Sequence, residues 1–126
     1  MKKGECKMQL NDYQERAMQT CMQSSNNFAY MSFGLVGEVG ELMGKIAKHI
    51  RKENISIENN QIIDNDEKLS RSDIELIISE LGDIQWFVAG LAQSLGYSLE
   101  EVCEYNLEKL QSRKQRNKID GDGDNR

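Results

Sequence analysis

The chain has 126 residues, no proline and a formal net charge of −5. That length fits one domain, residues 1–126, with a modest core that a second copy could complete, and the acidity argues against a nucleic-acid polymer as the main partner. Three cysteines, Cys6, Cys21 and Cys103, lack any C-x-x-C spacing. This argues against a disulfide framework or thiolate zinc site and favours a cytoplasmic protein. No leader-like run follows Met1, and nothing approaches the roughly 20 apolar residues of a membrane span.

Four helices are predicted in a proline-free, highly charged chain, which makes the fold all-α. The first covers about Asp12 to Cys21, with Asn11 positioned to cap it. The second, about Phe28 to Lys52, follows Asn26-Asn27 and carries Phe28, Met31, Leu35, Val39, Leu42, Ile46 and Ile50 at intervals of three and four, the helical period. A long connection at about 54–71 is rich in Asn, Asp and Glu, and such loops are usually functional or disordered. Ile55, Ile57, Ile62 and Ile63 could pin part of it as a short hairpin.

The third helix is expected to open on a capping box, Ser72-Asp73-Ile74-Glu75, and to end near Leu95, with Gly96 as a left-handed stop. A second box, Ser98-Leu99-Glu100-Glu101, opens a fourth helix to about Arg116. The two-residue turn makes helices three and four antiparallel neighbours. The tail at about 119–126 has no periodicity.

Two i,i+3 acid pairs stand out: Glu38-Val39-Gly40-Glu41 and Glu80-Leu81-Gly82-Asp83. Laid out on a helix, Glu80 and Asp83 share a stripe with Leu76, Ile84, Phe87 and Leu91. Glu38 and Glu41 share one with Met31, Gly34, Leu42, Lys45 and His49. Either pair alone would be an ordinary solvated pair, and Glu41 to Lys45 could be a simple i,i+4 bridge. Two such pairs beside apolar stripes are different, because unpaired buried charge costs several kcal/mol. A hard cation removes that cost, and Mg²⁺ takes carboxylate and phosphate oxygens together. Gly34, Gly37, Gly40 and Gly44 in one helix suggest close approach by another helix or a ligand.

These residues resemble the MazG-like family of all-α nucleoside triphosphate pyrophosphohydrolases. The match runs through Gly34-Leu35-Val36-Gly37-Glu38-Val39-Gly40-Glu41-Leu42, Glu80-Leu81-Gly82-Asp83-Ile84-Gln85-Trp86 and Asn106-Leu107-Glu108-Lys109-Leu110, and the closing Gly121 to Arg126 looks like a tail of some members. The resemblance implies a MazG-like domain over the chain, and hydrolysis of an NTP or dNTP to the monophosphate and pyrophosphate, in sanitation or regulation of the nucleotide pool. It also implies Mg²⁺ (Mn²⁺ may substitute) on Glu38, Glu41, Glu80 and Asp83, and a homodimer or homotetramer of helical bundles. Asn106 and Lys109 would hold substrate, with Arg113 one turn on. Lys114-Gln115 departs from the Tyr-Pro of many members.

Lys45, Arg116 and Phe87 complete the candidate substrate contacts, with Lys109, Arg113 and Arg116 on successive turns as phosphate clamps. Trp86 or Phe87, adjacent to Asp83, could contact the base, with core packing the favoured role for each. One of the four acids, with Glu41 and Glu38 the first candidates, would orient or deprotonate the attacking water. Alternatives are phosphoribosyl-ATP or dUTP as substrate, or an idle helical interaction module. Gly44-Lys45 fails as a phosphate loop because Ile46 replaces Ser/Thr. Asp120 to Asp124 opens like a calcium loop that the chain does not complete. His49, the sole histidine, lacks the Glu-x-x-His spacing of a di-iron bundle and reads as a surface or dimer-contact residue.

Overall fold

A computed structural model describes residues 7–121 and 123. Cys6 and residues 122 and 124–126 of the tail lie outside that range, as does the last part of the aspartate-rich stretch. The elements in order are α1 (Leu10–Met18), a 3₁₀ turn (Gln23–Ser25), α2 (Phe28–Arg51), β1 (Ile55–Glu58), β2 (Gln61–Asp64), a second 3₁₀ turn (Asn65–Glu67), α3 (Arg71–Ser94) and α4 (Leu99–Gln115). Four helices and one small hairpin make the fold all-α, as the periodicity anticipates.

The centre of the molecule is the α2–α3 pair. Asn27 caps α2 by accepting from the Tyr30 N–H at 2.8 Å, which satisfies one orphan donor. The seam is fixed by two large-into-small contacts. Phe87 of α3 sits over Gly34 of α2, where an added Cβ would lie 2.0 Å from its ring. Met31 of α2, fully buried, sits over Gly90 of α3, where a Cβ would meet its sulfur at 2.3 Å. Met31 pairs with Gly90 and Gly34 with Phe87, so the helices run antiparallel. The same register, one turn further along α2 and one turn back along α3, sets Glu38 opposite Asp83 and Glu41 opposite Glu80.

A second core forms where Ala89 and Ala92 of α3 meet Leu99 of α4, with Tyr13, Met18 and Val88 packed around them. Gln14 of α1 is buried there. Its amide nitrogen donates to the Ala89 and Tyr97 carbonyls (3.1 and 3.2 Å), and its oxygen accepts from the Leu99 N–H (3.0 Å). Trp86 adds an indole N–H donated to the Ala17 carbonyl (3.1 Å) and the Thr20 hydroxyl (2.9 Å).

Several expectations change. α1 starts at Leu10 after Gln9, which makes no side-chain cap. Asn11 lies inside the helix and exchanges hydrogen bonds with Glu100, its amide donating to the carboxylate at 2.9 Å. The box opening α3 is Ser70 with Asp73, not Ser72 with Glu75. Glu75 instead pairs with Arg71. The Ser98–Glu101 box of α4 forms as expected. Helices α3 and α4 meet only sparsely, because α1 packs on both.

The hairpin does form in the long connection, with Ile57 opposite Ile62, but only Ile55 is buried, and Ile57 and Ile62 face outward. Its turn is Asn59-Asn60, with φ of 50° and 62°. Two positive-φ residues mark a two-residue turn of the I′ type, whose twist matches the strands.

Candidate functional site

The α2–α3 register gathers the acids. Carboxylate oxygens of Glu38, Glu80 and Asp83 lie within 4.8 Å of one another. Glu80 is buried at 6% exposure, Glu38 half-buried and Asp83 exposed. Glu41 stands beside this triad: its charge, with those of Asp83 and Glu80, helps push the Glu38 carboxyl above the usual range, though partial burial contributes most. Tyr13 of α1 reaches the edge of the group. Its phenol pKa is raised first by burial and then by the Asp83 charge, and no local spacing points to this neighbour.

Lys45 is the one expected substrate contact drawn into the cluster. Its ammonium does not bridge to Glu41 along the helix but crosses the seam to Glu80 Oε1. That bond raises the Lys45 pKa, reinforced by the Glu80, Glu41 and Asp83 charges. The second Glu80 oxygen is buried without a hydrogen-bond partner. A half-satisfied buried carboxylate is costly, and it points at hard-oxygen coordination. The donors present fit Mg²⁺: all are carboxylates, the hard oxygen ligands that this ion takes.

The other predicted contacts fall elsewhere. Phe87, a candidate substrate contact for which the sequence favours core packing, is 8% exposed. It is held between Tyr30 (ring centres 5.7 Å apart) and Trp86 (5.0 Å) as core, because Gly34 leaves a socket for its ring. Asn106 and Lys109 line a shallow groove on α4 with Val102, Tyr105 and Glu108, and none of the four acids lines it. Arg113 is buried at 5% exposure and turns a guanidinium nitrogen toward the Gly123 carbonyl at 3.5 Å. Arg116 is exposed and donates to the Ser112 hydroxyl at 3.2 Å. His49, its side chain 12% exposed, contacts Asn54 at 3.1 Å and lies 3.9 Å from Asp73, linking the end of α2 to the α3 cap. Of the four clustered glycines, Gly34 is explained by packing, whereas Gly37, Gly40 and Gly44 face open space.

An all-α fold that gathers hard oxygen donors from two antiparallel helices is suited to polyphosphate chemistry. The chain belongs to the MazG nucleotide pyrophosphohydrolase family, whose domain it matches over residues 27–117. It is also 40% identical over 103 residues to the gene 37 protein of Mycobacterium phage L5, which covers 82% of this chain and 80% of that protein. No solved structure gives a significant match. Among the described residues, no helix is long and apolar enough to cross a membrane.

Proposed function

We propose that the protein is a Mg²⁺-dependent nucleoside triphosphate pyrophosphohydrolase, converting an NTP or dNTP to the monophosphate and pyrophosphate in control of the nucleotide pool. The observation that carries this reading is the convergence of Glu38, Glu80 and Asp83 around a buried Glu80 oxygen that has no partner. Glu38, Glu41, Glu80 and Asp83 would hold the cation. A divalent ion bound there neutralises phosphate charge and makes water nucleophilic near neutral pH.

The side chains divide the remaining work. Glu41, beside the triad, or Glu38 within it would orient and deprotonate the attacking water. Lys45, Lys109 and Arg116 would offset charge on the triphosphate and the Asn106 amide would donate a hydrogen bond to it, with Asn106 and Lys109 in the groove and Arg116 at the end of α4. The exposed apolar face of α2, with Phe33 at 80% and Val36 at 73% exposure, and the open glycines beside it favour burial against a second copy. A homodimer or homotetramer in the cytoplasm is therefore part of the reading.

Incubating each common nucleotide with the protein and Mg²⁺ in ¹⁸O-water tests the assignment. Label should enter the monophosphate as pyrophosphate is released, with no turnover in chelator. Release of orthophosphate and a diphosphate would overturn the reaction type.

A further inference from the structure

We propose that Lys45 is a built-in stand-in cation, which serves as counter-charge to Glu80 in the metal-free site and yields that carboxylate when a divalent ion is bound, freeing its ammonium for phosphate. This rests on the reading of the acid cluster as a metal centre, and it concerns a residue that reading does not require.

Three observations support it. The near partner for Lys45 is Glu41, one turn back on its own helix, a common i,i+4 pairing. The ammonium bypasses it and reaches across to Glu80 of α3. It therefore occupies the most buried carboxylate of the cluster, where uncompensated charge costs most.

Next, the pair is incomplete. A purely structural buried carboxylate would have both oxygens satisfied, yet the second Glu80 oxygen has no hydrogen-bond partner. One ammonium also cannot balance four carboxylates. The Glu41 and Asp83 charges act on Lys45 as well, so the ammonium shares its surroundings with the acids assigned to the cation.

Finally, Lys45 can leave. Its side chain is about one-third exposed (34%) and that of Glu80 is 8% exposed. A flexible four-carbon stem at the edge of the site can swing to solvent or to an anion with little packing lost. Two cations competing for one carboxylate are thermodynamically coupled: removing one strengthens binding of the other.

The experiment compares wild type, Lys45→Met and Lys45→Arg, using Mn²⁺ and Mg²⁺ alone as probes in calorimetry and melting each protein in chelator. Lys45→Met should melt lower than wild type in chelator, and it should bind Mn²⁺ about fivefold or more tightly. Lys45→Arg, whose guanidinium grips a carboxylate at two points, should bind Mn²⁺ more weakly than wild type. At saturating metal, Lys45→Met should raise KM for the triphosphate more than it lowers kcat. Equal or weaker Mn²⁺ binding by Lys45→Met overturns the proposal while leaving the metal centre standing. If that variant does not fold in chelator, Lys45→Arg decides, and equal or tighter binding there overturns it. If wild type and both variants bind neither ion, the metal-centre reading falls and this one with it.

Discussion

Gln14 and Glu80 are both buried polar side chains at helix junctions, and they are treated in opposite ways. Gln14 in the α1–α3–α4 core directs its amide at two carbonyls and one N–H, all within 3.2 Å. Glu80 on the α2–α3 seam has one oxygen on Lys45 and the other without a partner. A buried group that satisfies its hydrogen bonds is part of the scaffold; one left half-satisfied among like charges fits the proposed role of a cation ligand. Stability and activity should therefore separate between the two junctions.

The widest separation is expected from Asp83→Ala and Glu80→Gln. Each should lower hydrolysis at least about 100-fold, while circular dichroism of the metal-free protein shows unchanged helix. Near-normal turnover in either variant would collapse the distinction between the two junctions. Gln14→Ala should do the reverse. It leaves the Leu99 N–H and two carbonyls without their partner, costing about 2–4 kcal/mol in urea unfolding, with turnover per folded molecule retained.

The seam itself can be probed with two alanines. Gly34→Ala drives a methyl into Phe87 and should cost about 1–3 kcal/mol. Gly40→Ala meets no atom within the chain. It should leave the fold intact and weaken self-association by sedimentation, if α2 packs on a second copy.

The smallest effect is in pH. The Glu38 carboxyl is held above its ordinary range by burial and then by the Glu41, Asp83 and Glu80 charges, so the folded protein takes up that proton before the unfolded chain does. Its contribution to metal-free stability is thus present in acid and lost as pH rises through the raised folded value. Glu38→Gln should consequently melt above wild type at neutral pH in chelator, and the gap should close in acid. Asp73 is the control of opposite sign. Hydrogen bonds from the Ser70 side chain, then its backbone, lower its pKa, and its contribution is lost as pH falls through the depressed folded value.

The helices and acid pairs were legible because both depend on spacing within one element. Intervals of three and four from Phe28 to Ile50 identify α2, and the i,i+3 acids mark the faces where Glu38, Glu80 and Asp83 gather. What failed depended on a choice between near-equal local options or on distant contacts. Ser70-x-x-Asp73 and Ser72-x-x-Glu75 are overlapping capping frames, and the winner follows a turn in which the Leu69 N–H is donated to Asp64. Asn59-Asn60 carried a usable hairpin signal of two residues that tolerate positive φ. Lys45 looked local because Glu41 was near in sequence, whereas its partner lies 35 residues away. Gln14 is a polar residue of a short helix, and nothing local signals its burial. Arg113 kept the right spacing for a clamp and is buried all the same.

The Phe87–Gly34 and Met31–Gly90 sockets also act as a proofreading device. Sliding α3 by one helical turn would move it about 5.4 Å, unseating both side chains and pulling Asp83 and Glu80 away from Glu38. If the acids hold a cation as proposed, misdocked molecules would lose that affinity along with their packing. By mass action, divalent ions would draw the population toward the correctly docked form, so the cell's own magnesium would select the molecules able to use it.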